Sequence, residues 1–180
     1  MNRKQRRAET KQGRPVMQAA SSAVQGVWIA ALQHHQAGRL DEAERLFRQV
    51  LAVNPRHADS LHLLGVIAYQ TGRHDLAVDL IRKAIAINPR EASSHSNLGN
   101  LLKEQGRLDE AVASYRRALE LRPDDPEAHY NLAMALLARG DMPAGWEEHE
   151  WRWKTPQLAA SRRDFAQPSG VVKRRKGAPC

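Results

Sequence analysis

Cysteine is almost missing from this 180-residue chain: Cys180 is the only one, and it is the last residue. A single terminal thiol leaves no disulfide framework and no thiolate metal site, so neither a metal nor another cofactor is expected. Long apolar runs are missing as well. No stretch approaches the roughly 18 residues of a membrane span, and the basic start lacks the apolar core of a signal peptide. Together these absences point to a soluble, cytoplasmic protein without a membrane partner. No Gly-rich phosphate loop follows a strand pattern, and no strand is predicted at all. The formal net charge of +8 invites a nucleic-acid reading, but its distribution argues against one. Residues 1–22 hold six Lys/Arg and one acid, and residues 155–180 hold the same numbers. The part between carries 16 Lys/Arg against 18 Asp/Glu. The basicity lives in the tails, and no basic face for a duplex is visible between them. The first tail also has no aromatic residue on which a base could stack, so nucleic acid is an unfavoured partner. It reads as a flexible basic arm, since like charges repel and bury little.

What the chain does have is a 34-residue period. Ala92 to Asp125 reads as two amphipathic helices with a turn between them. Leu98, Leu101 and Leu102 recur at helical spacing, and Gly106 follows where a left-handed cap favours glycine. Asp109 is an acid near the start of the second helix, whose stripe is Ala111, Tyr115, Ala118 and Leu119. Pro123 stops it. Sliding by 34 residues finds copies at 58–91 and 24–57, and a divergent fourth at 126–156. The turn glycines are Gly38, Gly72, Gly106 and Gly140. Ala43, Ala77 and Ala111 are the small residues of the second helices, and Pro55, Pro89 and Pro123 the stops. At the first-helix contact point stand Ala31, Gly65, Gly99 and Ala133, where a larger side chain would cost about 1–3 kcal/mol by overpacking. Leu61, Leu64, Ile67 and Ala68 are expected to meet Leu76, Ala77, Leu80 and Ile81 across the second hairpin.

Four site classes in register over more than three periods resemble the tetratricopeptide-repeat family. The resemblance implies an all-α helix-turn-helix solenoid over residues 23–156, wound as a right-handed superhelix. Helices near 13 residues are too short to stand alone, so stacking must supply their stability.

The fourth repeat starts normally and then departs. Gly145 stands where the second-helix alanine belongs, and Trp146, Trp151 and Trp153 follow within eight residues. Pro143 fits a first helical turn, and a continuing helix would place Trp146, His149, Glu150 and Trp153 on one face with Trp151 beside it. Two readings stand for this C-terminal patch: it caps the end of the core, or it docks onto a following domain. The run Gly-Asp-x-x-x-Gly-Trp-x-x-x-Glu-Trp-Arg-Trp, followed by Arg163-Asp164-Phe165-Ala166-Gln167-Pro168, resembles the junction of bacterial proteins that join such repeats to a glycosyltransferase-like (protein O-GlcNAc transferase-like) domain. In those proteins a Trp-x-Gly-Glu stretch follows; here SGVVKRRKGAPC follows. GC-rich codons for these twelve residues, read in the neighbouring frame after one added C, can encode Gln-Trp-Arg-Gly-Glu. Residues 157–180 are therefore read as a disordered tail, with 169–180 a frameshifted end and a catalytic domain missing.

No catalytic set stands out. The eight histidines are scattered without metal-ligand spacing, and the acids fit helix starts and surface pairs. This chain is not expected to be an enzyme by itself. In repeat proteins of this family the first helices line a concave groove. The resemblance transfers that role to Trp28, His62, Tyr69, Asn97, Asn100, Lys103, Tyr130 and Asn131, with Leu32, His35, Val66, Ser96 and Met134 around them. Asn97 and Asn131, 34 apart, resemble the asparagine ladder by which O-GlcNAc transferases hold a peptide backbone; Ile29 and Leu63 stand at the other rungs. An amide suits the task because it both donates and accepts. The cations of a C-terminal carboxylate clamp are missing at the matching positions. The expected function is a protein-interaction module for an extended peptide or partner. Its alternative is the truncated substrate-docking front end of a glycosyltransferase-like enzyme.

Overall fold

The computed structural model describes residues 22–154; the basic arm, the tail and the reading-frame expectation for 169–180 lie outside the described residues. Helix α1 occupies residues 22–36. It is followed by α2 (Leu40–Val53), α3 (Ala58–Gln70), α4 (His74–Ile87), α5 (Ala92–Glu104), α6 (Leu108–Leu121), α7 (Pro126–Arg139) and α8 (Met142–His149). A 3-10 turn, Glu150–Lys154, comes last. No strand occurs among the described residues. Consecutive helices pair into antiparallel-type hairpins that stack in chain order, so the described part is an all-α repeat solenoid.

The turn chemistry is the same at all four hairpins. Gly38, Gly72, Gly106 and Gly140 have φ of 72°, 77°, 72° and 92°, a left-handed conformation that costs glycine nothing. The residue after each glycine returns its N–H to the helix just ended: Arg39 to the His34 carbonyl, Arg73 to Ala68, Arg107 to Leu102 and Asp141 to Leu136, at 2.8–2.9 Å. Otherwise orphaned carbonyls are thereby satisfied and the chain reverses at once. The longer links between hairpins instead use side-chain caps. His57 Nδ1 accepts the Ser60 N–H, Glu91 that of Ser93, and Asp125 those of Glu127 and Ala128. Each second helix ends at the residue two before its proline, as Val53, Ile87 and Leu121 show.

The core forms two clusters. One joins α1, α2 and α3 around Phe47, and the other runs from α3 to α7 around Tyr115; both aromatic side chains are fully buried. Each buried Leu, Ile or Val contributes about 1.5–3 kcal/mol, which compensates for helices too short to persist alone. The small residues act where expected. A Cβ on Gly99 would lie 2.6 Å from Tyr115 Cε1, and one on Gly65 would lie 2.5 Å from Ile81 Cγ1. Ala31, Ala43, Ala77, Ala111 and Ala133 are fully buried.

Two expectations need correction. Leu76 is exposed, and Val78 joins Ala77, Ile81 and Ala84 in the buried stripe of α4. At about 100° per residue Leu76 and Val78 flank the stripe of Ala77, Ile81 and Ala84 almost evenly, so the rotation of α4 against its neighbours decides which of the two is buried. The last helix also does not run through Trp153. It gives way at Glu150 to a 3-10 turn of about three residues per turn, which breaks the expected alignment of the tryptophans.

Direct contacts between hairpins define the inner surface. α3 touches α5 and α5 touches α7, whereas the second helices reach their neighbours chiefly through the intervening first helices. The first helices therefore lie on the short side of the stack, the side on which the groove residues were expected.

Candidate functional site

Along this inner side the groove residues fall into polar knots that tie one repeat to the next. The first joins α3 to α5. His62 Nδ1 lies 2.6 Å from Ser94 Oγ, and Asn97 Nδ2 lies 3.2 Å from His62 Nε2. One neutral tautomer satisfies both contacts: the Asn97 amide donates to Nε2, and Nδ1–H donates to Ser94. Burial pushes the His62 pKa down, against the opposing pull of Glu91 and Asp59. Ser93 donates its hydroxyl to Glu91 at 2.6 Å and holds that carboxyl below its usual range.

The second knot positions the middle of the groove. The Tyr69 hydroxyl donates to Glu104, which raises the phenol pKa. Tyr115 donates to Asn100 Oδ1 at 2.6 Å, and burial pushes the Tyr115 phenol well above its ordinary range. Asn100 is thus anchored on the core by its oxygen, with its NH2 left for another acceptor. Between these residues lies a hollow of about 160 Å³, lined by Val66, Tyr69, Gln70, Ile81, Asn97, Asn100 and Leu101.

Lys103 and Asn131 make the third knot, between α5 and α7, with Lys103 Nζ 3.5 Å from Asn131 Oδ1. This is the long limit of a hydrogen bond and holds the ammonium weakly. Tyr130 faces His149 at 5.9 Å between ring centroids. Trp28 packs on the Phe47 cluster, 6.0 Å from the His57 ring, and its buried indole N–H meets no partner among the described residues.

The C-terminal tryptophans are dispersed. Trp146 is 57% exposed and lies edge-on to His149 at 5.3 Å. Trp151 stacks on His129 with centroids 3.8 Å apart and planes 7° apart, and Trp153 is half-buried. His129 is itself gripped on both sides: Nδ1 contacts Glu148, and Nε2 donates to the Pro123 carbonyl at 2.7 Å. One repeat earlier His95 Nε2 makes the matching contact with the Pro89 carbonyl at 3.0 Å. Both histidines are structural.

Sequence reasoning did not single out Ser94 or Glu104 as groove partners. A usable signal existed: His62 to Asn97 and Tyr69 to Glu104 are each separated by 35 residues, one period plus one. That separation joins neighbouring turns of adjacent first helices. Among the described residues no group of three or more His, Cys, Asp or Glu could hold a metal ion, and no helix is long and apolar enough to cross a membrane.

The fold and its inner face define a class: helical repeat solenoids of the scaffold type, in which surface positions recur with the period. Family comparison supplies the specific assignment. A tetratricopeptide-repeat model matches residues 30–92, a second one residues 80–113, and a model described as a TPR repeat residues 99–140. The chain belongs to the tetratricopeptide-repeat family. No curated protein matches it by sequence. Among solved structures, a mutant O-GlcNAc transferase of Thermobaculum terrenum is 37% identical with a TM-score of 0.61. The match covers 64% of this chain but only 22% of the transferase, so the chain spans about a fifth of that relative's length. MamA from strain AMB-1 is 26% identical with a TM-score of 0.64, over 78% of this chain and 79% of that one. MamA from Desulfovibrio magneticus, at 19% identity and a TM-score of 0.66 over 77% of each chain, shares the fold.

Proposed function

We propose that this chain is a protein-interaction module that holds an extended peptide along the inner faces of α3, α5 and α7, and that it works in the cytoplasm. One observation carries the reading. Asn97 and Asn131 occupy equivalent positions on neighbouring first helices, and each is held by a side chain of the adjacent repeat. Asn97 keeps its carbonyl oxygen and Asn131 its NH2, an acceptor and a donor for successive peptide units. Two to four such bonds at about 0.5–1.5 kcal/mol each fall short of the roughly 8 kcal/mol of micromolar affinity. Apolar contacts beside Tyr69 and Tyr130 must therefore contribute. The test is Asn97→Ala combined with Asn131→Ala. Peptide binding should weaken while circular dichroism stays unchanged. Equal binding of the same peptide by an isolated 155–180 tail and by the full chain would place recognition outside the groove.

A second reading has its own support, the 37% identity to the repeat region of an O-GlcNAc transferase. In that reading the groove docks substrate for a catalytic domain carried by a longer form, and the domain sits against exposed Trp146 and Met142 together with Trp151 and Trp153. Sequencing the DNA past codon 168 tests it. An open frame encoding Trp-Arg-Gly-Glu and a long α/β pattern is expected, and a stop in every frame would overturn it.

A further inference from the structure

The geometry points to a peptide that seats one apolar side chain in the hollow between α3 and α5 and sets a carboxylate side chain against Lys103. This rests on the groove reading and adds to it the chemistry of the ligand. The hollow has an apolar floor of Val66, Ile81 and Leu101, of which Ile81 and Leu101 are buried core residues. Its volume of about 160 Å³ compares with the roughly 150 Å³ of an apolar cavity that takes up benzene. A leucine, methionine or phenylalanine side chain is therefore the natural occupant.

The rim is held in place before any ligand arrives. Tyr69 is tied to Glu104, Asn97 to His62, and Asn100 to the buried Tyr115 hydroxyl. Such preorganisation lowers the ordering cost of binding. Asn97 Oδ1 and Asn100 Nδ2 remain to accept from and donate to the peptide units that flank the inserted side chain.

Lys103 is three residues beyond Asn100, about 4.5 Å along the axis of α5. Lys103 as a whole is half-buried, and its ammonium makes only the 3.5 Å contact with the neutral Asn131 amide, with no carboxylate paired to it among the described residues. An incoming carboxylate would convert that weak contact into a charge-assisted bond. An extended chain advances about 3.3 Å per residue, so the apolar and acidic residues should be adjacent or one apart. A single lysine held by an amide presents one point charge rather than a bidentate fork, which suits a singly charged carboxylate better than a phosphate. The larger hollow beside α2, about 570 Å³, lacks an apolar floor: Ala52 is the sole apolar residue of its lining, and its Arg48 and Arg73 are both paired with Glu44.

A phage-displayed library of random dodecamers panned on the full chain tests the proposal. The unaltered protein should select an Asp or Glu within two positions of a Leu, Met or Phe. Lys103→Met should lose the acidic preference, keep the apolar anchor, and bind a fluorescein-labelled copy of the strongest selected dodecamer at least about tenfold more weakly. Lys103→Glu should turn the preference toward Lys or Arg. Val66→Phe, which fills the hollow, should lose the apolar anchor. Circular dichroism confirms folding for each variant, and the Lys103 substitutions decide the matter if Val66→Phe does not fold. Selected peptides with no acidic preference, or an unchanged preference with Lys103→Glu, would overturn the proposal and leave the groove reading standing. Failure of the unaltered protein to select any peptide would overturn both. A phosphoserine peptide that outbinds its Asp counterpart would overturn the carboxylate assignment.

Discussion

The third and fourth hairpins begin alike and end differently. Both have a first helix of 13–14 residues, a left-handed glycine at the turn and a small residue at the contact point. In the third, α6 then runs for 14 residues and buries Ala111, Val112, Tyr115 and Ala118. In the fourth, α8 lasts eight residues and buries only Gly145. Positions equivalent to Val112 and Tyr115 carry Trp146 and His149, too polar or too large for the same stripe. Closure instead comes from His129, which grips Glu148 and the Pro123 carbonyl while Trp151 covers its ring face. An apolar stripe gives a hairpin that another can stack upon. The polar and aromatic contacts hold the second half of the fourth hairpin while leaving Trp146 and Met142 exposed.

The contrast can be broken most strongly at the glycines. Gly99→Leu should destabilise the protein by about 1–3 kcal/mol, because Tyr115 is fully buried, tethered to Asn100, and cannot make way. The same change at Gly145 should cost less, since its nearest obstacles, Leu137 Cδ2 and Cγ at 2.7 Å with the Leu137 backbone nitrogen at 3.2 Å, belong to a half-buried residue rather than to a tethered core aromatic. Urea midpoints compare the two directly. Equal shifts would mean that the fourth hairpin is packed as tightly as the third.

A middle-sized effect is expected from Trp151→Ala. Removing the stack on His129 should cost about 0.5–1.5 kcal/mol beyond the lost area. Amide hydrogen exchange should quicken in α8 while α3 to α6 keep their protection. Uniform acceleration would show that the two ends are one cooperative unit.

The smallest effect is a pH slope carried by the α3–α5 seam. Burial holds the His62 pKa below the 6.5 of a free histidine, so the unfolded chain takes up the proton first. The His62 contribution is therefore full above about pH 6.5 and declines as the pH falls below it. Melting temperatures between pH 7.5 and 5 should show that decline, and His62→Gln should flatten it. An unaltered slope in the variant would assign the effect to another group.

Period, turn glycines and proline stops were all legible in the chain, because each reports a local backbone requirement that one residue type meets best. Tyr115 could be placed in the core by helical spacing alone, and Gly99 at a close contact by its repeat position. The Leu76 expectation failed because it depends on how α4 is rotated against its neighbours, and the Trp153 expectation because α8 gives way to a 3-10 turn at Glu150. Trp151 stacks on His129 only because α8 stops early, and no periodicity in residues 146–153 specifies that stop.

The sequence by itself determined the helices, their turns and their stacking order, since these follow from φ preferences and an apolar pattern repeated every 34 residues. Only the tertiary structure decided which groove side chains are already committed. Asn97 spends its amide hydrogen on His62, Asn100 its oxygen on Tyr115, and Lys103 is left beside a neutral amide. Those pairings depend on distances of a few ångströms between neighbouring helices; the 35-residue spacing marks which turns meet, and the pattern of residue types does not say which atoms pair.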